Sequence, residues 1–222
     1  MFNGFSENTI EYLYHLMGNN NRTWFQENKA DYEKHLLNIF KDLVENLSPY
    51  MLELDPFLDL NFKKCISRIN RDIRFSKDKT PYRTNMWISF KREYKDWKQE
   101  PTFYFELFPN GYRYGMGFYD IPKETLDKIR KMIDNDDEDF NKIHAIYKNQ
   151  KVFTLEGNSY KRALNPDVSE ELKEWYQKKE IYFVCNKGLK DNLFSKELAN
   201  ELVDGFRLLA PIYNFFLSLK TS

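Results

Sequence analysis

One stretch of this chain alternates where most of the rest winds. Thr84, Met86, Ile88 and Phe90 are separated by Asn85, Trp87, Ser89 and Lys91, the period of two that a half-buried strand requires. Residues 102–108 are dominated by aromatics and stop at Pro109-Asn110-Gly111, a strong turn signal. Residues 112–119 then return, with Gly115 and Gly117 on one face. This pattern predicts adjacent antiparallel strands joined by a hairpin. The two glycines leave room for a helix or a ligand to approach closely.

Helical spacing surrounds that hairpin. Ser6 is placed to cap a short helix with Ile10, Leu13 and Met17 on its apolar face, ended by Gly18 and Asn19-Asn20-Asn21. Thr23 with Gln26 reads as a capping box, and Leu36, Ile39, Phe40, Leu43 and Leu47 continue a helix to Pro49. Helices are also predicted from Pro122 to Asn149, broken by the acidic run Asp134–Asp139, over Ser169–Lys178, and from Ser195 to the end, with a kink at Pro211. Lys151–Leu155 and Ile181–Cys185 read as short strands. The expected fold is α+β, a central antiparallel sheet flanked by N-terminal, middle and C-terminal helices. No linker or repeat divides the chain, so residues 1–222 are read as a single domain.

Charge is balanced overall, with 34 basic and 34 acidic residues and a pI near 6.8, which argues against a protein basic over its whole surface. Neither a signal peptide nor an apolar run of membrane-spanning length is evident, and two distant cysteines, Cys65 and Cys185, make no disulfide framework. These features predict a cytoplasmic protein without a membrane partner.

Against that neutral background, residues 61–83 carry eight basic side chains and two aspartates, a local excess of six positive charges. If residues 65–75 form a strand, Arg68, Asn70, Asp72 and Arg74 share one face, while Arg71 points to the other and needs a partner of its own. Ser76–Pro81 would then turn Lys79 and Tyr82 back over the polar face. Forked guanidinium donors suit a phosphate or carboxylate. Asp72 among arginines should be a weak base that orients Arg68 or Arg74, leaving Lys79 and Tyr82 as the reactive candidates. A second reading stays open, in which the same charges form an internal ion-pair network.

The pattern Arg68-x-x-Arg71-Asp72-x-Arg74-Phe75-x-x-Asp78-Lys79-x-x-Tyr82 resembles the signature of a bacterial family known as domain of unknown function 2461. The block Asn20-Asn21-Arg22-x-Trp24-Phe25-x-x-Asn28-Lys29-x-x-Tyr32 resembles that family's opening. The resemblance implies that both blocks belong to one architecture, and it supplies no activity, substrate or cofactor. The candidate set is therefore Lys79, Tyr82 and Asp72 for chemistry; Arg68, Arg71, Arg74, Arg22 and Lys29 for anion binding; and Asp78, Asn28 and Trp24 for support. Trp24 and Phe25 also suit core anchors, and Asn20 and Asn21 turn or capping bonds.

His15, His35 and His144 fit no metal spacing, and Asp134-x-Asp136-x-Glu138 lacks the glycine and distal Glu of a calcium loop. No cofactor motif occurs, and no metal is expected. The leading expectation is a protein, enzymatic or not, with a cationic cleft for an anionic small molecule. Its rivals are a nucleic-acid-binding module and a structural or protein-interaction domain.

Overall fold

A computed structural model of the chain describes residues 1–74, 77–93 and 96–221. The N-terminal helices follow one another closely: α1 (Glu7–Gly18), α2 (Arg22–Glu27), α3 (Lys29–Tyr32), a wide π turn (Glu33–Leu37) and α4 (Asn38–Leu54). Ser6 caps α1 reciprocally with Thr9, and the cap of α2 is Asn21, which accepts the Trp24 N–H. Thr23 therefore lies inside α2 rather than capping it. Met17, expected on the apolar face of α1, is exposed, and Leu16 is buried in that helix. Helix α4 also passes through Pro49, where the sequence pattern ended it. Met51, fully buried beyond the proline, continues the apolar face, and such burial offsets a proline cost of about 3 kcal/mol.

Strands β1 (Leu58–Asp59), β2 (Met86–Arg92), β3 (Thr102–Phe108), β4 (Gly111–Gly117), β5 (Thr154–Glu156) and β6 (Tyr182–Gly188) form one antiparallel sheet in the order β1-β2-β3-β4-β6-β5. Helix α5 (Phe62–Cys65) precedes β2; α6 (Lys123–Asp134), α7 (Glu138–Asn149) and α8 (Glu170–Tyr176) lie between β4 and β6; α9 (Glu197–Thr221) closes the chain. The fold is α+β. The acidic run is the α6–α7 junction, where Asp137 caps α7 by accepting two backbone N–H groups.

Chain contacts gather into two compact units. The first holds Met1–Phe90, Tyr104–Tyr114 and Asn186–Asp204, and the second Lys91–Phe103, Gly115–Cys185 and Gly205–Ser222. In the first, Phe5 stacks on Phe105 and meets Phe40 edge-on, which fixes the N-terminal helices to β3. In the second, Phe103 lies between Phe206 and Tyr213, and Phe140, Trp175 and Phe183 form a further aromatic core. The space left by Gly117 is filled by the adjacent strand rather than by a helix or ligand. A Cβ there would lie 2.3 Å from the Tyr182 Cβ.

Helix α9 continues through Pro211. It is long and apolar enough to cross a membrane by length and composition, with mean hydropathy 1.2 over its best window, contrary to the sequence expectation. Of that window, 56 % is buried inside the protein, and Leu198, Leu202, Phe206, Leu209 and Phe216 are fully buried. Core packing accounts for its apolarity.

His144 of α7 stacks on Phe140 and meets Trp175 edge-on, and its Nε2 has no hydrogen-bond partner. Burial holds its pKa below the ordinary 6.5, with Lys148 assisting and Glu171 and Glu174 opposing. The folded state thus prefers the neutral ring. Its contribution should be complete above about pH 6.5 and decline as pH falls through the lowered value. Urea midpoints measured from pH 8 to pH 5 should fall less steeply in His144→Phe than in wild type.

Candidate functional site

The cationic segment is not the expected strand over residues 65–75. Helix α5 takes Phe62–Cys65, after which Ile66 bridges Ile88 and the Ser67 N–H donates to the Trp87 carbonyl at 2.8 Å. Asn70 then bridges Tyr82, flanked by Arg71 N–H to the Pro81 carbonyl and Arg83 N–H to the Ile69 carbonyl, both 2.8 Å. The result is a narrow loop closed by one antiparallel rung. Local side chains compete with the ladder: Asp72 accepts the Arg74 N–H, and Asp78 accepts the Thr80 N–H. Phe75 and Ser76 lie outside the described residues.

Within the loop the charges divide. The Arg71 guanidinium, 18 % exposed, donates through Nη2 to Asp78 at 2.9 Å and to the Tyr82 carbonyl at 3.2 Å. Its Nε is buried and finds no acceptor among the described residues. Asp78 also accepts the Thr80 N–H and hydroxyl, and these bonds, with Arg71 beside it, hold its carboxyl below the usual range. Arg74 grips Asp72 with both prongs, Nε at 2.9 Å and Nη2 at 2.7 Å. These bonds lower the Asp72 carboxyl to about 2, which makes it a poor general base. The Lys79 ammonium donates to the Ile73 carbonyl at 2.7 Å.

The N-terminal block meets this loop through Asn20. Its Nδ2 donates to the Tyr82 carbonyl at 2.9 Å, and its Oδ1 accepts the Tyr82 N–H at 3.0 Å. One side chain thus satisfies both backbone groups of a residue 62 positions away. The Tyr82 ring, 5 % exposed, stacks on Phe25 with centroids 4.0 Å apart. Asn28 donates to the Trp24 carbonyl and closes α2, while Trp24 is half-buried against Tyr12. Lys29 makes an exposed pair with Glu33 at 3.9 Å. Arg22 and Arg68 are exposed. The structure therefore joins Tyr82, Arg71 and Asp78 in one bonded network and Asp72 with Arg74 in another. Arg22, Lys29 and Arg68 belong to neither.

Asn20 and Phe25 are central to the first network and were read from sequence as turn and core residues. The doubled asparagine opening the block was their visible signal. A further polar cluster, Glu106 accepting from Asn85 and from Arg113 Nε, went unnoticed. Its trace was a lone acid within the aromatic run 102–108. Arg83 covers the Trp87 ring at 4.9 Å. Among the described residues, no group of three or more His, Cys, Asp or Glu could hold a metal ion.

An α+β scaffold that carries a stapled, cationic loop defines the class of protein. The chain belongs to the family described as conserved hypothetical protein DUF2461, whose model matches residues 8–215. Comparison with curated proteins gives no match.

Two outcomes follow from this geometry. Asn20→Ala removes two hydrogen bonds to a largely buried backbone and should lower unfolding free energy by about 1–3 kcal/mol in urea titrations. By NMR the Asp72 carboxyl should titrate near 2, and Arg74→Ala should return it towards 3.8.

Proposed function

We propose that the chain binds a small phosphorylated or carboxylated molecule against the 66–83 loop. The observation that carries this reading is the loop's uncompensated charge. Of the eight basic residues between 61 and 83, Lys64 is paired with Asp59, Arg71 with Asp78 and Arg74 with Asp72. Lys63, Arg68 and Lys77 are exposed and make no ion pair among the described residues. Holding like charges together on one loop raises the local potential and favours an anion. In this reading Arg71, Asp72, Asp78, Lys79 and Tyr82 hold the loop's shape, while Arg68 and Lys77 meet the ligand. Lys79, already donating to a carbonyl, and Tyr82, packed on Phe25, then act as supports rather than as reacting groups. Both cysteines are buried and neither is in a disulfide, in keeping with the reducing cytoplasm proposed for this protein.

Isothermal titration with inorganic phosphate and pyrophosphate at low ionic strength tests the reading. Wild type should bind, and Arg68→Ala/Lys77→Ala should bind at least about tenfold more weakly with an unchanged melting temperature. Arg71→Ala should instead lower the melting temperature by several degrees, because it removes the donor that ties Asp78 to the Tyr82 carbonyl. No heat from wild type, or equal affinity in the double variant, would overturn the proposal.

A further inference from the structure

The N-terminal helices hold a second group of polar atoms that the loop does not use. Tyr12 of α1 is 5 % exposed, and its hydroxyl is buried without a hydrogen-bond partner. Its ring lies 5.7 Å from Trp24 and 6.2 Å from Tyr32, centroid to centroid. Tyr32 packs on Phe25, and Phe25 stacks on Tyr82. Among the described residues no hydrogen bond reaches the phenol oxygens of Tyr32 or Tyr82 either. Three phenols are thus gathered on one aromatic wall, and among the described residues the hydroxyl of Tyr12 is the one that is buried with no partner.

That arrangement has a physical cost. A buried hydroxyl without a partner gives up its hydration and receives nothing in return, whereas phenylalanine would fill the same space freely. The surroundings indicate what would answer it. Burial, then Tyr32, Asp31 and Tyr82, push the Tyr12 ionisation upward, so the groups felt at this oxygen are acidic or phenolic. Burial likewise pushes Tyr32 up to about 12. Tyr12 and Tyr32 thus keep their protons and present oxygen lone pairs. Asp31, exposed and 3.9 Å from His35 Nε2, supplies negative charge nearby. Directly after Tyr32 the helix widens into the π turn, whose His35 carbonyl accepts the buried Thr9 hydroxyl at 2.7 Å. Such turns are rare and collect at functional sites.

We propose that Tyr12, Tyr32 and Tyr82, walled by Trp24 and Phe25 beside Asp31, receive the protonated amine of a zwitterionic ligand whose anionic end lies on the 66–83 loop. An ammonium group donates to phenol oxygens and is attracted to aromatic faces, so the chemistry of the wall matches it. Tyr82 links the two ends, because its carbonyl holds Arg71 and its ring joins the phenol wall. The anionic half of the ligand rests on the function proposed above, whereas the amine half stands on the phenol cluster.

The experiment compares inorganic phosphate, O-phosphoethanolamine and ethylammonium chloride by titration calorimetry and by NMR of the tyrosine rings. O-phosphoethanolamine should bind at least about tenfold tighter than phosphate. Tyr12→Phe and, separately, Asp31→Asn should erase that advantage while leaving phosphate affinity as it was. Tyr12→Phe should melt no lower than wild type, since it removes only an unpartnered hydroxyl. Equal affinity for the two phosphate probes, or an advantage that survives in both variants, would overturn the amine site and leave the anion reading standing. If neither phosphate probe binds, the anion reading falls. Ethylammonium must then still perturb the Tyr12 and Tyr32 ring signals, and their indifference would overturn the amine site as well.

Discussion

Two hydrogen bonds between the Asn20 carboxamide and the backbone of Tyr82 hold the cationic loop to the N-terminal helices. The loop they restrain has every electrostatic reason to spread apart. Its paired carboxylates answer only some of its cations, and the Arg74–Asp72 pair lies in solvent, where water and salt screen it. Exposed ion pairs cannot fix this shape. The buried contacts can: Tyr82 lies flat on Phe25, Ile69 is in the core, and Arg71 reaches inward to the carbonyl that Asn20 also holds. Binding two distant blocks at a single residue makes the loop part of the N-terminal helical layer.

A division of labour among the arginines follows. Arg71 is largely withdrawn from solvent and acts within the protein, with Asp78 as its counter-charge. Arg74 is exposed but committed to Asp72. Arg68 and Lys77 are exposed and have no carboxylate partner among the described residues. Identical chemistry in the sequence therefore becomes three roles in the fold, decided by burial and by which acid lies within reach. The separation matters for binding, because cations already paired internally must break those bonds before they serve a ligand.

Much of the scaffold was legible beforehand. The period-two run marked β2, the turn at Pro109-Asn110-Gly111 marked the β3–β4 hairpin, Ser6 stands where a cap belongs, and the acidic run marked the break between α6 and α7. These signals are local, and local chemistry enforces them. Failures occurred where tertiary contacts prevailed. Burial of Met51 carried α4 past Pro49, and a helical turn followed by two isolated bridges replaced the strand expected over residues 65–75. Side-chain roles were harder still. Asn20 looked like a turn residue because no pattern in its neighbourhood points to Tyr82. The unanswered hydroxyl of Tyr12 was invisible for the same reason, since a tyrosine on a helix face reads simply as core. The lowered pKa expected of Asp72 agrees with the structure, because its partner lies only two residues away.

Asn20 is the clamp on which the shape of the loop rests. Hydrogen exchange measured by NMR on wild type and Asn20→Ala asks this directly, through the amides of Arg71, Tyr82 and Arg83 compared with those of β3. If the clamp is as described, the three loop amides are protected in wild type and lose protection together in the variant, while β3 amides exchange at a common, globally set rate. Loop amides that remain as protected in Asn20→Ala as in wild type would show that the loop is held by other means, and would contradict the central claim.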